Sequence, residues 1–179
     1  NAAATFSPTG NTTYTVTVSN GTCTATATRL VTVNQLPTIA ISQSTISICN
    51  GSSASLTASG AANCVWSNGG GTNALATFSP SISSTYSVTG TDANNCTASA
   101  SRLVTVNQLP AAAISPATVA ICAGSSASLS ASGGTTYAWS NLLGNNAVVS
   151  VSPTINTTYT VTVSDANCSA TVSKLVTVN

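Results

Sequence analysis

The chain has 179 residues but only five charged side chains, three Lys/Arg and two Asp/Glu, with no histidine and no methionine, for a formal net charge of +1. So neutral a polypeptide offers no basic footprint for a phosphate backbone, which argues against nucleic acid as a partner, and its regularly recurring Val, Ile, Leu, Tyr and Ala argue against a disordered charged tail. No run of eighteen apolar residues marks a membrane span within these residues.

The first element is read in TTYTVTVS at 12–19, where Tyr14, Val16 and Val18 alternate with Thr13, Thr15 and Thr17. That is the period of two of a strand with one buried and one solvated face. CTATATRLVTV at 23–33 repeats it with Cys23, Ala25, Ala27, Val31 and Val33 on one side, and the turn-formers SNGT between the runs predict a hairpin. A longer series follows: TIAIS (38–42) with TISIC (45–49) as an opening strand pair, a turn at CNGSS, a strand SLTAS (55–59), a strand around Trp66, one near ALATFS (74–79), and a hairpin turning at TDANN. The series then returns as AAAIS with TVAIC, CAGSS, SLSAS, a strand around Trp139, AVVSVS and a hairpin turning at SDAN. About seven short strands per series and no helix predict an all-β fold of two antiparallel sheets packed face to face.

The series is a repeat. RLVTVNQLP stands at 29–37 and at 102–110, Cys49 and Cys122 are 73 residues apart, as are Trp66 and Trp139, and Tyr14, Tyr86 and Tyr159 are separated by 72 and 73. Residues 37–109 and 110–179 are complete units, and 1–36 match only the second half of one. The expectation is a window cut from a longer repetitive polypeptide. A molecule that truly began at Asn1 would need its missing strands from another subunit, by strand complementation.

A domain of about 70 residues is marginal without reinforcement. Cys49 with Cys96, and Cys122 with Cys168, recur at one place in each full unit, 47 and 46 residues apart, and Cys23 occupies the position of Cys96 and Cys168. Bridges Cys49–Cys96 and Cys122–Cys168 are expected, each contributing about 4 kcal/mol on the chain-entropy estimate, with buried reduced cysteine as the alternative. Cys23 is expected to find its partner outside the covered half-unit. Cys64 has no equivalent, the matching residue being Tyr137; a buried extra thiol, a bridge to Cys96 and a crosslink to a neighbouring chain all stay open. Trp66 and Trp139 suit the sandwich core, with sugar stacking by an exposed indole as the alternative.

The strings ISICNGSSASLTASG, WSNGG and FSPSISSTYSVTGTDANNCTASASRLVTV, with their counterparts, resemble the immunoglobulin-like and PKD-like repeats of very long secreted surface proteins of Bacteroidetes-type bacteria. The shared marks are the C-x-G turn at Cys49 and Gly51 or Cys122 and Gly124, the strand of Trp66 or Trp139, the run opening at Ser79 or Ser152, and the turn from Asp92 or Asp165. The last turn departs from the pattern, with Asn95 for glycine in the second unit and a deletion in the third. The resemblance covers the whole chain. It implies tandem immunoglobulin-like β-sandwiches, end to end, in an extracellular or cell-surface setting, whether as adhesin stalk or beside a catalytic domain.

Catalysis finds no footing. With no histidine and no glutamate, Asp92 and Asp165 are the only carboxylate side chains, in equivalent turns of different units, so no acid/base pair, triad, metal site or cofactor site is expected. Outward-facing Ser and Thr instead form a hydroxyl ladder on the last hairpin of each copy, as in Thr158, Thr160 and Thr162 beside Ser169, Thr171 and Ser173. That face suits β propensity and uncharged solubility, or lateral self-association, or glycans, for which sequons stand at Asn11, Asn20, Asn50, Asn95, Asn156 and Asn167. Thr-x-Thr rows also suit an ice-binding array, but a small twisted sheet does not hold them flat. The leading reading is a structural repeat of an extracellular fibre or adhesin stalk that associates with itself and with neighbouring repeats. The alternative is a spacer or carbohydrate-binding array of a secreted hydrolase.

Short linkers predict the junctions. Gln35-Leu36-Pro37 and Gln108-Leu109-Pro110 join the units, with proline fixing its own φ and extending the leucine before it. Leu36 and Leu109 are expected to pack at the junctions, and Arg29 to point toward Asp92 and Arg102 toward Asp165. Each basic residue stands about five residues before its linker, roughly 17 Å of strand, so the ion pairs require the domains to overlap.

Overall fold

The structure, a computed structural model, describes residues 3–43 and 46–179; Thr45, the first residue of the expected TISIC strand, lies outside the described residues. The alternating Thr and apolar residues near the start form a hairpin. In it β1 (Thr12–Ser19) pairs antiparallel with β2 (Thr24–Val31), from Thr12 opposite Val31 to Ser19 opposite Thr24.

The next seven strands make two sheets. β3 (Ala40–Ile41), β5 (Ala54–Ser59) and β7 (Leu75–Phe78) lie in that order, and β4 (Ile46–Cys49), β9 (Thr97–Asn107), β8 (Ser84–Thr91) and β6 (Asn63–Trp66) in that order. The last seven strands repeat the plan: β10 (Ala113–Ser115), β12 (Ala127–Ser132) and β14 (Val148–Val151) in one sheet, and β11 (Ala120–Ile121), β16 (Ser169–Val178), β15 (Thr157–Ser164) and β13 (Thr136–Trp139) in the other. The chain is thus all-β, a tandem of immunoglobulin-like β-sandwiches with three strands facing four.

One edge pairing in each set is parallel. β4 runs alongside β9, Ile46 opposite Val104 and Cys49 opposite Asn107. β11 runs alongside β16, Ala120 opposite Thr177 and Ile121 opposite Val178. The expected opening strand pair is therefore no hairpin, because its members join different sheets. In the last repeat the break falls at Pro116, which has no N–H to continue a ladder.

Packing groups the residues into two compact units, 1–44 with 55–76 and 86–102, and 45–54 with 77–85 and 103–179. In the first, Leu56, Trp66, Tyr86 and Val88 are buried, as are the smaller Ala58 and Ala76. In the second, Leu129, Val161, Val163 and Val176 are fully buried and join Ile114, Trp139, Val149, Val151 and Tyr159 in one cluster drawn from both sheets. Alternation places them there: Tyr159, Val161 and Val163 turn inward while the threonines between them turn outward.

Context decides what the same letters do. TTYTVTVS forms both β1 and β15, yet Val16 and Val18 are 57% and 61% exposed where Val161 and Val163 are fully buried. Phe6 stacks on Tyr14 in the hairpin, with ring centroids 3.9 Å apart. In both full repeats a glycine receives the incoming chain. Gly60 and Gly133 hold φ of +96° and +103°, and a Cβ on them would strike the carbonyls of Thr38 and Ala111 respectively.

Replacing a cluster residue and an exposed one separates these environments. Leu129→Ala is expected to lower the unfolding free energy by about 2–5 kcal/mol, and Val16→Ala to change it by less than about 0.5 kcal/mol, as read by denaturant titration.

Candidate functional site

Three equivalent turns present a cysteine in the same way. Asp165 Oδ1 accepts from the backbone N–H groups of Asn167 (2.8 Å) and Cys168 (2.7 Å), and Asp165 N–H returns a bond to the Cys168 carbonyl at 2.9 Å. Asp92 does the same for Asn94 (2.8 Å) and Cys96 (2.9 Å). Asn20 Oδ1 substitutes in the hairpin, accepting from Thr22 N–H (3.1 Å) and Cys23 N–H (2.9 Å). A short polar side chain that folds back on its own turn explains Asp or Asn at this position. The two N–H donors, Cys168 first and Asn167 second, hold the Asp165 carboxyl below the usual aspartate range against a small opposing effect of desolvation.

The other cysteine type sits in a tight turn at the end of the short parallel strand. Ser52 N–H donates to the Cys49 carbonyl at 2.9 Å, Gly51 supplies φ of +87°, and Asn50 N–H reaches the Asn107 carbonyl at 2.8 Å. Asn107 Nδ2 also donates to Ser47 Oγ at 2.7 Å, fixing the end of β4 to the end of β9. Cys122 repeats this turn, with Ser125 N–H to its carbonyl at 2.9 Å and Gly124 at φ of +73°.

A disulfide joins one turn of each type. Cys49 bonds Cys168 with a Cα–Cα distance of 5.8 Å across a sequence separation of 119, and Cys168 is buried at 5% exposure. The expected pairings Cys49–Cys96 and Cys122–Cys168 are overturned, since Cys96 and Cys122 are free thiols. Strand direction is the reason. Because β4 is parallel to β9, Cys49 lies beside Asn107 at one end of β9 while Cys96 precedes Thr97 at the other. The eleven residues of β9 span roughly 33 Å, far beyond the reach of about 7 Å that a disulfide tolerates. Cys122 and Cys168 stand at opposite ends of β16 in the same way. The bond therefore links consecutive repeats instead of closing each one.

Cys23 is exposed and Cys64 half-buried, both as free thiols. Cys64 lies opposite Gly90, where the last repeat sets Tyr137 opposite Val163. A cavity of about 120 Å³ lies beside Ile39, Ala58, Ala74 and Gly90, with Ile39 and Ala61 covering Gly90 itself, and the Cys64 thiol faces the Thr72 carbonyl at 3.6 Å.

The linker expectations fare unevenly. Leu36 and Leu109 are 69% and 47% exposed, so they are not the packed residues. Pro110 is buried and Pro37 half-buried. Ala112 N–H donates to the Pro110 carbonyl at 2.9 Å, a reversal that turns the proline ring inward and leaves Leu109 outside. Arg29 stands mid-strand opposite Tyr14, and Asp92 accepts from the N–H groups of its own turn. Arg102 Nη2 donates to the Ile41 carbonyl at 3.4 Å and Lys174 Nζ to the Ala117 carbonyl at 2.6 Å. Asp165 meanwhile serves its own turn.

Both tryptophans are core residues, at 4% and 7% exposure. Their indole N–H groups donate to loop carbonyls seven residues on, Trp66 to Asn73 at 3.0 Å and Trp139 to Asn146 at 2.9 Å, which removes them as sugar-stacking platforms. Across the hydroxyl ladder Thr160 and Ser173 share a bond of 2.8 Å, and Thr89 and Ser99 one of 3.0 Å. Among the described residues no group of three or more His, Cys, Asp or Glu could hold a metal ion, and no helix is long and apolar enough to cross a membrane.

No protein family's sequence profile matches this chain, and no curated protein matches it. Among solved structures it is similar to a structure of three titin immunoglobulin domains in an E-to-A mutated variant, at 14% identity over 94% of this chain and 75% of that one, with a TM-score of 0.43. It is similar to the N-terminal four immunoglobulin domains of Dscam1 isoform 1.9, at 15% identity over 86% of this chain and 51% of that one, with a TM-score of 0.36. A Ca2+-stabilized adhesin that helps an Antarctic bacterium reach out and bind ice matches at 14% identity over 92% of this chain and 55% of that one, with a TM-score of 0.40. The chain spans about half the length of the last two.

Two measurements check the site. Cys168→Ser is expected to cost about 2–5 kcal/mol of unfolding free energy, and non-reducing peptide mapping of the unaltered protein to return Cys49 joined to Cys168. The lowered Asp165 value means that its carboxylate contributes fully above the unfolded aspartate value, about 3.9, and loses that contribution as pH falls through the lower folded value. Carboxylate NMR should show Asp165 titrating below the ordinary aspartate range, and Asp165→Ala should flatten the fall of melting temperature in that acid window.

Proposed function

We propose that the chain is a structural repeat segment of a bacterial extracellular fibre or cell-surface stalk, whose sandwiches are bonded to one another in series. The observation that carries this reading is the Cys49–Cys168 disulfide, which ties the opening turn of one repeat to the last turn of the next. A bond of that kind suits an oxidising, extracellular setting. It serves continuity along a repeat array, since neither sandwich needs it to close its own sheets.

The surface supports the same reading. A shell of small hydroxyls with few charges has no long-range repulsion to hold neighbours apart, which suits lateral association. The carbohydrate-binding alternative loses its two candidate indoles to the core, and a spacer beside a hydrolase remains the reading to be tested against. Antibodies raised to this chain should decorate external fibres or stalks in electron micrographs of whole cells. Label found only on a soluble secreted enzyme would overturn the proposal.

A stalk bonded in series also has a mechanical signature. Pulled by its two ends under oxidising conditions, the chain should keep the 119-residue stretch closed by the disulfide out of its extension. Added reductant should release about 400 Å of contour at roughly 3.5 Å per residue, read as a single late step in force spectroscopy.

A further inference from the structure

Three Asn-Gly pairs occur in the chain, at 20–21, 50–51 and 68–69, and in each a side-chain amide is followed by the backbone nitrogen of a glycine, with no side chain to shield it. The fold treats them differently. Asn20 is tied down, its Oδ1 accepting from the N–H groups of Thr22 and Cys23 while Gly21 N–H donates to Ser19 Oγ at 3.2 Å. Asn50 is half-buried, with Nδ2 donating to Gln108 Oε1 at 3.3 Å and its own N–H to the Asn107 carbonyl. Asn68 is exposed, and among the described residues no hydrogen bond holds its side chain or the N–H of Gly69. It stands in the reversal after β6, where Asn68 and Gly69 hold φ of +53° and +78° and Gly70 N–H donates to the Ser67 carbonyl at 3.1 Å. A Cβ placed on Gly69 or Gly71 would meet nothing beyond its chain neighbours within 4 Å. The last repeat builds the same reversal with Asn141 and Leu142 at φ of +58° and +60°, so there a leucine side chain flanks the equivalent nitrogen.

We infer that Asn68 is a site of spontaneous covalent modification, at which the side-chain amide is lost and a carboxylate gained through a cyclic imide with Gly69. The Gly69 nitrogen gives up its proton and bonds to the side-chain carbonyl carbon of Asn68, whose bond to the amide nitrogen breaks, and that nitrogen leaves as ammonia. Proximity favours the backbone nitrogen over solvent as the attacking group. Water then opens the imide at one carbonyl or the other, giving an aspartyl or an isoaspartyl link. The sum is amide plus water to carboxylate plus ammonium. Each event takes the formal net charge from +1 to zero. The isoaspartyl link also lengthens the main chain by one carbon, inside the span closed by the bond from Trp66 N–H to the Gly71 carbonyl at 2.9 Å. Just beyond that span lies the Asn73 carbonyl that accepts from the Trp66 indole at 3.0 Å. The modification therefore reaches the core through Trp66 and not through Trp139, whose indole bonds Asn146. It stands or falls independently of the fibre reading.

The test ages the folded 179-residue chain at mildly alkaline pH, where the attacking nitrogen loses its proton more readily, and maps its peptides by mass. The Asn68 peptide should convert to aspartyl and isoaspartyl forms, with the isoaspartyl in excess, while the Asn20, Asn50 and Asn141 peptides keep their amides. The indole N–H resonance of Trp66 should shift as conversion proceeds, and that of Trp139 should stay in place. In denaturant the Asn20 and Asn50 peptides should convert as fast as the Asn68 peptide, because only the fold protects them. Leu142→Gly, which relieves a leucine at positive φ, should bring Asn141 to the rate of Asn68. An Asn68 amide that outlasts those of Asn20 or Asn50 in the folded chain, equal conversion of all three, or an Asn141 unmoved by Leu142→Gly would each overturn the inference.

Discussion

A strand of two to four residues laid parallel along the last strand of each sandwich decides where this chain can be cross-linked. Parallel pairing carries Cys49 and Cys122 to the C-terminal ends of β9 and β16, while the Asx-type turns carry Cys96 and Cys168 to the N-terminal ends. No cysteine can then reach its mate within a repeat, and the bond that forms joins an opening-turn cysteine to a last-turn cysteine of the next repeat. The closed loop of about 119 residues corresponds to roughly 5 kcal/mol on the chain-entropy estimate. An exposed ion pair at the same place would contribute about 0–1 kcal/mol.

With so few ionic groups, the polar bookkeeping falls to small neutral groups. Hydroxyls bond across strands, amide and carboxylate oxygens cap turns, and Asn11 and Asn156 each accept the backbone N–H of Val33 and Val178 from across a hairpin. Ser83 does the same for Val106. Two of the cations also serve backbone carbonyls, Arg102 that of Ile41 and Lys174 that of Ala117. The repeated basic position thus has a local use in each full repeat.

The sandwich was legible because alternation and repetition are local. Tyr159, Val161 and Val163 announce a buried face wherever they are read, and Trp139 falls where the core needs bulk. The disulfide was not legible in the same way. Equal spacing of Cys49–Cys96 and Cys122–Cys168 invites pairing within a repeat, but spacing carries no strand direction, and the parallel edge contact that reverses the outcome is a long-range choice. Leu36 and Leu109 show the same limit. Apolar character suggested burial, whereas the turn made by Pro110 and Ala112 gives the inner place to proline. Cys64 in place of Tyr137 could be read from the sequence, but that it faces Gly90 where the sister repeat sets Val163 is a matter of register, which spacing alone does not carry.

The 119-residue separation between Cys49 and Cys168 also bears on how the molecule withstands enzymes in its surroundings. Exposed loop tips are where proteases cut, and the tip at Leu142, fully exposed, lies inside the bonded loop. A cut there opens the backbone but releases no fragment, because the two pieces stay tied through Cys49 and Cys168. The same holds for a nick at any loop between those residues, including the glycine-rich stretch at 69–71. Separating the two pieces after a single cleavage within that loop then requires reduction of the disulfide as well as hydrolysis of the backbone.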